Sequence, residues 1–405
     1  MSENTPELPQ NPYDRWAALR NDYPVFQEEP GGPYTVARYE DVLALLKDNT
    51  TFSSDVSLRP EEEKKIRPSM LFSDPPVHNR LRKLVSYAFK PRFVENQRAL
   101  IEARCDSLVQ ALSKKKEADL VESLAAPLPV TVIAHMLGVE DGDQQQFKYW
   151  SDKIFSNIGE ILFAQPDEEV QKAQQEMDTY FLDRIARLRS HPEDHLLGRL
   201  VETETEDGKL TDYEVLSFCG LLLIAGNETT TGLITASARV FHEMPETFEA
   251  LKTNPELIPT FVEETLRFYS PFSATIRRTT KDTVIAGTEI PQGALVVPLI
   301  ASANRDEAMF DGADQFVIDR QPNAHIALGF GIHNCLGAHL ARLQGENVMA
   351  SKALRAPLPR SRSQRAPPAS PTGAPLRRRR WPVQGIPNGG YRGRTPCPMR
   401  PHRNR

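Results

Sequence analysis

Nothing in the 405 residues is apolar for long enough to cross a bilayer. A spanning helix needs about 20 consecutive apolar residues. The most apolar stretch, Val215 to Ala225, stops well short and reads as a core helix. The opening residues, MSENTPELPQNPYDRW, are polar and carry prolines, without the charged-then-apolar order of a secretory leader. A soluble cytoplasmic protein, with no membrane contact, is expected. Only four cysteines are present (Cys105, Cys219, Cys335 and Cys397), far apart and with no Cys-x-x-Cys pair. That speaks against a disulfide framework or a structural zinc site and suits a reducing compartment. Gly-x-Gly-x-x-Gly is missing as well, so a flavin or nicotinamide site within the chain is not expected.

Acid is missing from one end. Residues 355–405 hold 13 Arg but no Lys, Asp or Glu, which leaves the first 354 residues with 36 basic against 54 acidic side chains. A body that acidic repels the phosphate backbone, so nucleic acid is not an expected partner.

What the chain does have is concentrated in Leu328 to Leu343, LGFGIHNCLGAHLARL. Gly329, Gly331, Gly337 and Gly345 crowd around Cys335, and His333 stands two residues before it. Glycines bunched ahead of a cysteine predict a tight loop, and Leu336, Leu340 and Leu343 predict a helix beyond it. A thiolate just before a helix N-terminus is stabilised by free N–H groups and by the dipole, which suits an anionic sulfur ligand to a metal. The bland alternative is a buried structural cysteine in a Gly-rich turn.

Earlier in the chain, helices are predicted at Tyr13 to Asp22 and Tyr39 to Lys47, with an extended piece at Tyr34 to Arg38 between them. Asp74-Pro75-Pro76 precedes another, on which His78 and Arg82, four apart, share a face. From Phe93 to about Leu210 the pattern is mostly helical, broken at Gln165-Pro166-Asp167 and His191-Pro192-Glu193. Thr211 and Glu214 form a capping box opening a helix that runs to about Met244. Halfway along stands Ala225-Gly226-Asn227-Glu228-Thr229-Thr230, a carboxylate and hydroxyls inside an otherwise apolar helix. Burying that carboxylate is costly unless it is paired or functional; the alternative is a kink with a Thr hydroxyl bonded back to its own turn. Glu264 and Arg267 pair at i,i+3 on a later helix, and Arg320 follows in DQFVIDR. Strand pattern is expected at Pro271 to Arg278 and Thr283 to Pro298, with turns at Ala286-Gly287 and Gln292-Gly293.

The cysteine stretch closely resembles the haem-thiolate loop of cytochromes P450, Phe-Gly-x-Gly-x-His-x-Cys-x-Gly. It matches every fixed position except the first, where Leu328 replaces Phe. The other motifs follow in that family's order. The resemblance implies a mainly α fold: one triangular, helix-rich domain of a dozen or so helices with a small β-rich region. It implies haem b (iron protoporphyrin IX) with Cys335 as its metal ligand. His78, Arg82, Arg277 and His333 would meet the propionates, with Gly329, Gly331 and Gly337 shaping the loop and Arg278 able to exchange with Arg277. Glu228 and Thr229 would be the catalytic proton relay, in a helix that bulges there to admit oxygen. Glu264, Arg267 and Arg320 would form a structural cluster bracing the loop. The implied activity is monooxygenation of a small apolar organic substrate, by a monomer served by a ferredoxin or flavodoxin with its reductase. Arg80, Lys83 and Arg342 are candidates for meeting an acidic partner. Residues 55–67 and Phe155 to Phe163 fall where the family places a substrate-recognition loop and a lid. A peroxide-driven peroxygenase, or a haem-binding protein without turnover, are the alternatives.

The likeness covers about residue 12 to Gln344, and the domain is expected to span 1–354. The remaining 51 residues include 11 Pro and 5 Gly with scarcely an aliphatic run, a composition of disordered chain. A functional basic arm is one reading. The preferred one is a frame change in a GC-rich gene, because the switch falls inside a helix that the family needs. Sequencing the gene around codons 345–355 tests it: a family-like ending in another frame is the expected result.

Overall fold

The computed structural model describes residues 8–56, 64–65, 68–115, 117–157, 167–351 and 360–361. The expected recognition loop lies outside them at 57–63 and 66–67, and the expected lid from residue 158 onward. The expected disordered tail lies outside them too, apart from Arg360 and Ser361, which pair in parallel with Glu117 and Ala118. Among the described residues no helix is long and apolar enough to cross a membrane.

The architecture is mainly α around one long central helix, Asp212–Glu243. Its start is written in the sequence: Thr211 accepts from the Glu214 N–H while Glu214 accepts from the Thr211 N–H. Its end is set by Pro245, which opens the next helix and cannot donate to the preceding turn. Val215, Leu216, Cys219, Leu223, Leu233 and Val240 are buried along it, within one apolar core shared by the helices Arg98–Ser113, Pro127–Met136, Glu168–Ser190, Ile258–Tyr269 and Ala338–Ala350. At Gly345 a Cβ would stand 3.0 Å from Leu233 Cδ2, so a side chain there would wedge the last helix off the central one.

A second core lies under a five-stranded sheet, in the order Val25–Gln27, Tyr34–Val36, Leu295–Pro298, Arg277–Thr279, Phe52–Ser53. Tyr34–Val36 and Leu295–Pro298 pair in parallel, and the other pairs are antiparallel. The turns expected at Ala286-Gly287 and Gln292-Gly293 are present, with Ala286 at φ 46° and Gly293 at φ 82°. The strand expected over Pro271 to Arg278 is shorter: Arg277–Thr279 alone enters the sheet. Before it the chain packs on the central helix, where Pro271 stands 3.0 Å from the Cβ position of Gly232.

The two cores are tied by a fully buried carboxylate. Glu264 takes a fork from Arg267 (2.7 and 2.7 Å), Nε of Arg320 (3.1 Å to each oxygen) and the Val317 N–H (2.8 Å). Arg267 also donates to the carbonyls of Asn304, Ala313 and Gln315. The expected three-residue cluster is therefore assembled. Removing one partner of a buried pair leaves the other's charge uncompensated, at a cost of about 3–5 kcal/mol. Glu264→Gln should lower the urea midpoint by that much stability without altering the slope of the transition.

Candidate active site

The loop ahead of Cys335 is built on two left-handed glycines, Gly329 (φ +72°) and Gly331 (φ +70°). At Gly331 a Cβ would also lie 2.5 Å from the backbone oxygen of Leu46, so the loop is pressed against the end of the helix Tyr39–Lys47. The Cys335 N–H closes the loop onto the Leu328 carbonyl at 2.8 Å, and Asn334 N–H onto Gly331 at 3.1 Å. The helix Ala338–Ala350 follows as expected, with Gly337 at its N-cap. Burial pushes the Cys335 thiol up, opposed by the Gly337 N–H and by the charges of Arg82 and Arg342. The sulfur thus has both a backbone donor and cations poised for its anionic form.

Four basic residues converge beside it. His78 and His333 face each other with ring centres 4.3 Å apart. Arg82 donates to the Asn334 carbonyl at 2.8 Å, next to Cys335. Arg277 is buried, donating to the Thr275 hydroxyl and the Ile276 carbonyl. Arg278 instead turns outward to the Gly293 carbonyl, because neighbours on a strand point to opposite faces. Arg277 and not Arg278 is therefore the inward cation. Burial lowers Arg277 to about 10, and burial with the charges of Arg277, His78 and Arg82 lowers His333 to about 3. His78 is likewise held down by burial, and its Nε2 is buried without a partner.

A buried cation such as Arg277 normally carries a carboxylate, and Arg82 beside it is half-buried. Among the described residues no ion pair reaches Arg82 or Arg277; Asp74 acts on Arg277 through space, and the Cys335 sulfur acts on Arg82. Asp74 is engaged by the Ser53 hydroxyl and the Ser54 N–H. A dianionic group would supply what is missing, and the two propionates of haem b fit that demand, with the Cys335 sulfur fitting its iron. Sequence reasoning missed Ser54, whose hydroxyl lies 2.8 Å from His333 Nε2 and fixes that ring. A serine in a short strand end carries no spacing signal.

Two expectations are corrected. The central helix does not bulge at Ala225 to Thr230: it runs unbroken, and the Thr229 hydroxyl donates back to the Ala225 carbonyl at 2.7 Å. Glu228 and Thr229 are half-buried there, beside the exposed Ala225, so this face of a core helix borders open space. Arg80, Lys83 and Arg342 are not free for an acidic partner. Arg80 pairs with Glu214 (2.6 Å), Lys83 with Glu206 and Asp207, and Arg342 with Glu263. Arginines and lysines on an acidic body find acids at home first.

Gly331→Ala adds both left-handed strain, about 1–2 kcal/mol, and a collision with Leu46. The variant should keep its far-UV circular dichroism and carry less haem per chain; full haem content would show that the loop does not need that contact.

Comparison with known proteins accords with this geometry. Residues 4–352 match the family model described as Cytochrome P450. A putative cytochrome P450 of Bacillus subtilis, YjiB, is 40% identical over 347 residues, covering 84% of this chain and 86% of that protein. A steroid C26-monooxygenase of Mycolicibacterium smegmatis is 35% identical, with 84% of each chain covered. The crystal structure of CYP109E1 from Bacillus megaterium in complex with testosterone superposes with a TM-score of 0.76 at 38% identity, covering 84% of this chain and 89% of that one. A thiol at a helix N-terminus, an inward Arg277 beside two histidines and a match over most of the sequence lead to one conclusion: this chain belongs to the cytochrome P450 family.

Proposed function

We propose that the chain holds haem b through the Cys335 sulfur and inserts one oxygen atom of dioxygen into a small apolar organic substrate. The observation that carries this is the convergence of His78, Arg82, Arg277 and His333 beside a cysteine at a helix N-terminus, with no ion pair to Arg82 or Arg277 among the described residues. The cofactor supplies the oxygen chemistry, its iron made electron-rich by a thiolate. The chain's residues do the rest. The Gly337 N–H and the cations Arg82 and Arg342 favour the sulfur's anionic form. Arg82 and Arg277 bind the propionates as charged donors. His333, held down by burial and by the charges of Arg277, His78 and Arg82, would bind through a ring N–H, its orientation set by Ser54. His78, whose Nε2 lacks a partner, binds the same way.

Glu228 and Thr229 hold and pass the protons that oxygen cleavage consumes. Their place on the open face of the central helix, beside exposed Ala225, supports this. In the resting arrangement the Thr229 proton is parked on the Ala225 carbonyl and must rotate away to be delivered. Electrons come from a separate ferredoxin or flavodoxin with its reductase, and the protein works as a cytoplasmic monomer. The relatives named for steroid oxidation or crystallised with a steroid make that class the first to screen.

Cys335→Ala should abolish the thiolate Soret band of the reduced carbon monoxide complex. Thr229→Ala should keep the band and divert electrons into hydrogen peroxide; unchanged coupling of reductant to product would remove Thr229 from the relay.

A further inference from the structure

Beside the Glu264 cluster, on the same helix, stands a second carboxylate. Glu263 takes a two-pronged bond from Arg342, Nε to Oε1 at 2.7 Å and Nη2 to Oε2 at 2.8 Å. Its Oε2 also meets His325 Nε2 at 3.2 Å. His325 has an almost wholly buried side chain, and its Nδ1 accepts from the Ala327 N–H at 3.3 Å. Nδ1 is therefore unprotonated, so the proton sits on Nε2 and points at Glu263. Burial raises the Glu263 carboxyl, but its bonds to Arg342 and His325 outweigh that and hold it down to about 2. It is an anion at every working pH.

Both of its partners flank Cys335 in the chain. His325 braces the strand of backbone leading to Leu328, whose carbonyl receives the Cys335 N–H. Arg342 lies one turn into the helix that follows, and its guanidinium acts on the Cys335 sulfur. One carboxylate thus holds the two sides of the cysteine loop and partly neutralises the cation that faces the sulfur.

We propose that Glu263 is a positioning residue for the cofactor's thiolate: through Arg342 and His325 it fixes the loop's two ends and sets the positive charge that the Cys335 sulfur feels. The inference rests on Cys335 being the haem ligand. Arg342 held by Glu263 presents a damped cation. Freed of Glu263 it presents a full one, which favours the reduced iron, since reduction adds negative charge to the centre. Removing Arg342 has the opposite effect. The two partners of one ion pair should therefore move the haem's redox equilibrium in opposite directions.

The test is redox titration of the purified holoenzyme as wild type, Glu263→Gln, Arg342→Gln and the double variant, alongside the carbon monoxide spectrum of each. Glu263→Gln is expected to raise the reduced-to-oxidised ratio about threefold at fixed poise, about 28 mV for a one-electron couple. Arg342→Gln is expected to lower it by a similar factor, and the double variant to fall between them. A purely mechanical tie would loosen the loop in both single variants alike. Shifts of the same sign, or potentials unchanged in both, overturn the proposal, including where thermal unfolding shows both variants less stable. Should a variant lose its haem, Arg342→Lys keeps the charge without the fork. Its potential is expected within the wild-type range, and a fall matching Arg342→Gln overturns the electrostatic part. A wild-type protein without the thiolate band overturns the function proposed above, and this inference with it. A normal wild-type band with same-sign shifts overturns this inference alone.

Discussion

The buried Glu264 carboxylate is the constraint on which the rest of the structure leans. Five donors close on two oxygens with no exposure to water, and they come from places far apart in sequence: Arg267 on its own helix, and Val317, Arg320 and Asn323 in the irregular segment ahead of the cysteine loop. Irregular backbone has no ladder of its own to hold it, so its carbonyls need donors from elsewhere. Arg267 supplies them at Asn304, Ala313 and Gln315, and the Asn304 side chain then takes the Ile326 N–H at 2.8 Å. A rigid approach to Gly329 is assembled in this way from side chains rather than from secondary structure.

Basic side chains turned inward, with no ion pair to Arg277 among the described residues, are the other organising feature. Arg277 is aimed inward by the alternation of a strand locked at both edges, Val296 on one side and Thr279 to Phe52 on the other. His78 is aimed inward by the apolar face of its helix, which buries Leu81, Leu84 and Val85. Neither side chain can swing out to solvent without breaking those contacts. A dianionic cofactor seated there would meet the charge of Arg277. Loading should stabilise the fold as any ligand does that binds the native state alone.

Much of this was legible in the sequence, for reasons that differ from place to place. The central helix could be read because its cap is a local two-residue signal and its end is a proline. The cysteine loop could be read because its glycines are required by backbone geometry, and that requirement leaves a fixed spacing. Arg277 against Arg278 could not be decided without the register of the sheet. The late start of their strand was hidden because Pro271 packs on Gly232 of the central helix while Ser273 and Thr275 bond to Ala301 and Pro298, tertiary contacts with no periodicity. The basic surface residues were misjudged because a salt bridge depends on which acid lies opposite. Lys83 meets Glu206 and Asp207 across a gap of more than a hundred residues. Ser54 reaches His333 across 279 residues and left no trace in any local pattern.

The contacts of Gly331 with Leu46 and of His333 with Ser54 bear on the order in which the protein can mature. The seat for the cysteine loop is made of residues far upstream of it, Ser54 preceding His333 by 279 positions. Contacts of that span form last and slowly, since the intervening chain must be arranged before they are rewarded. A loop that closes last would also take up its prosthetic group last, so loading would be timed by the folding of the whole intervening chain rather than by the cysteine's own surroundings.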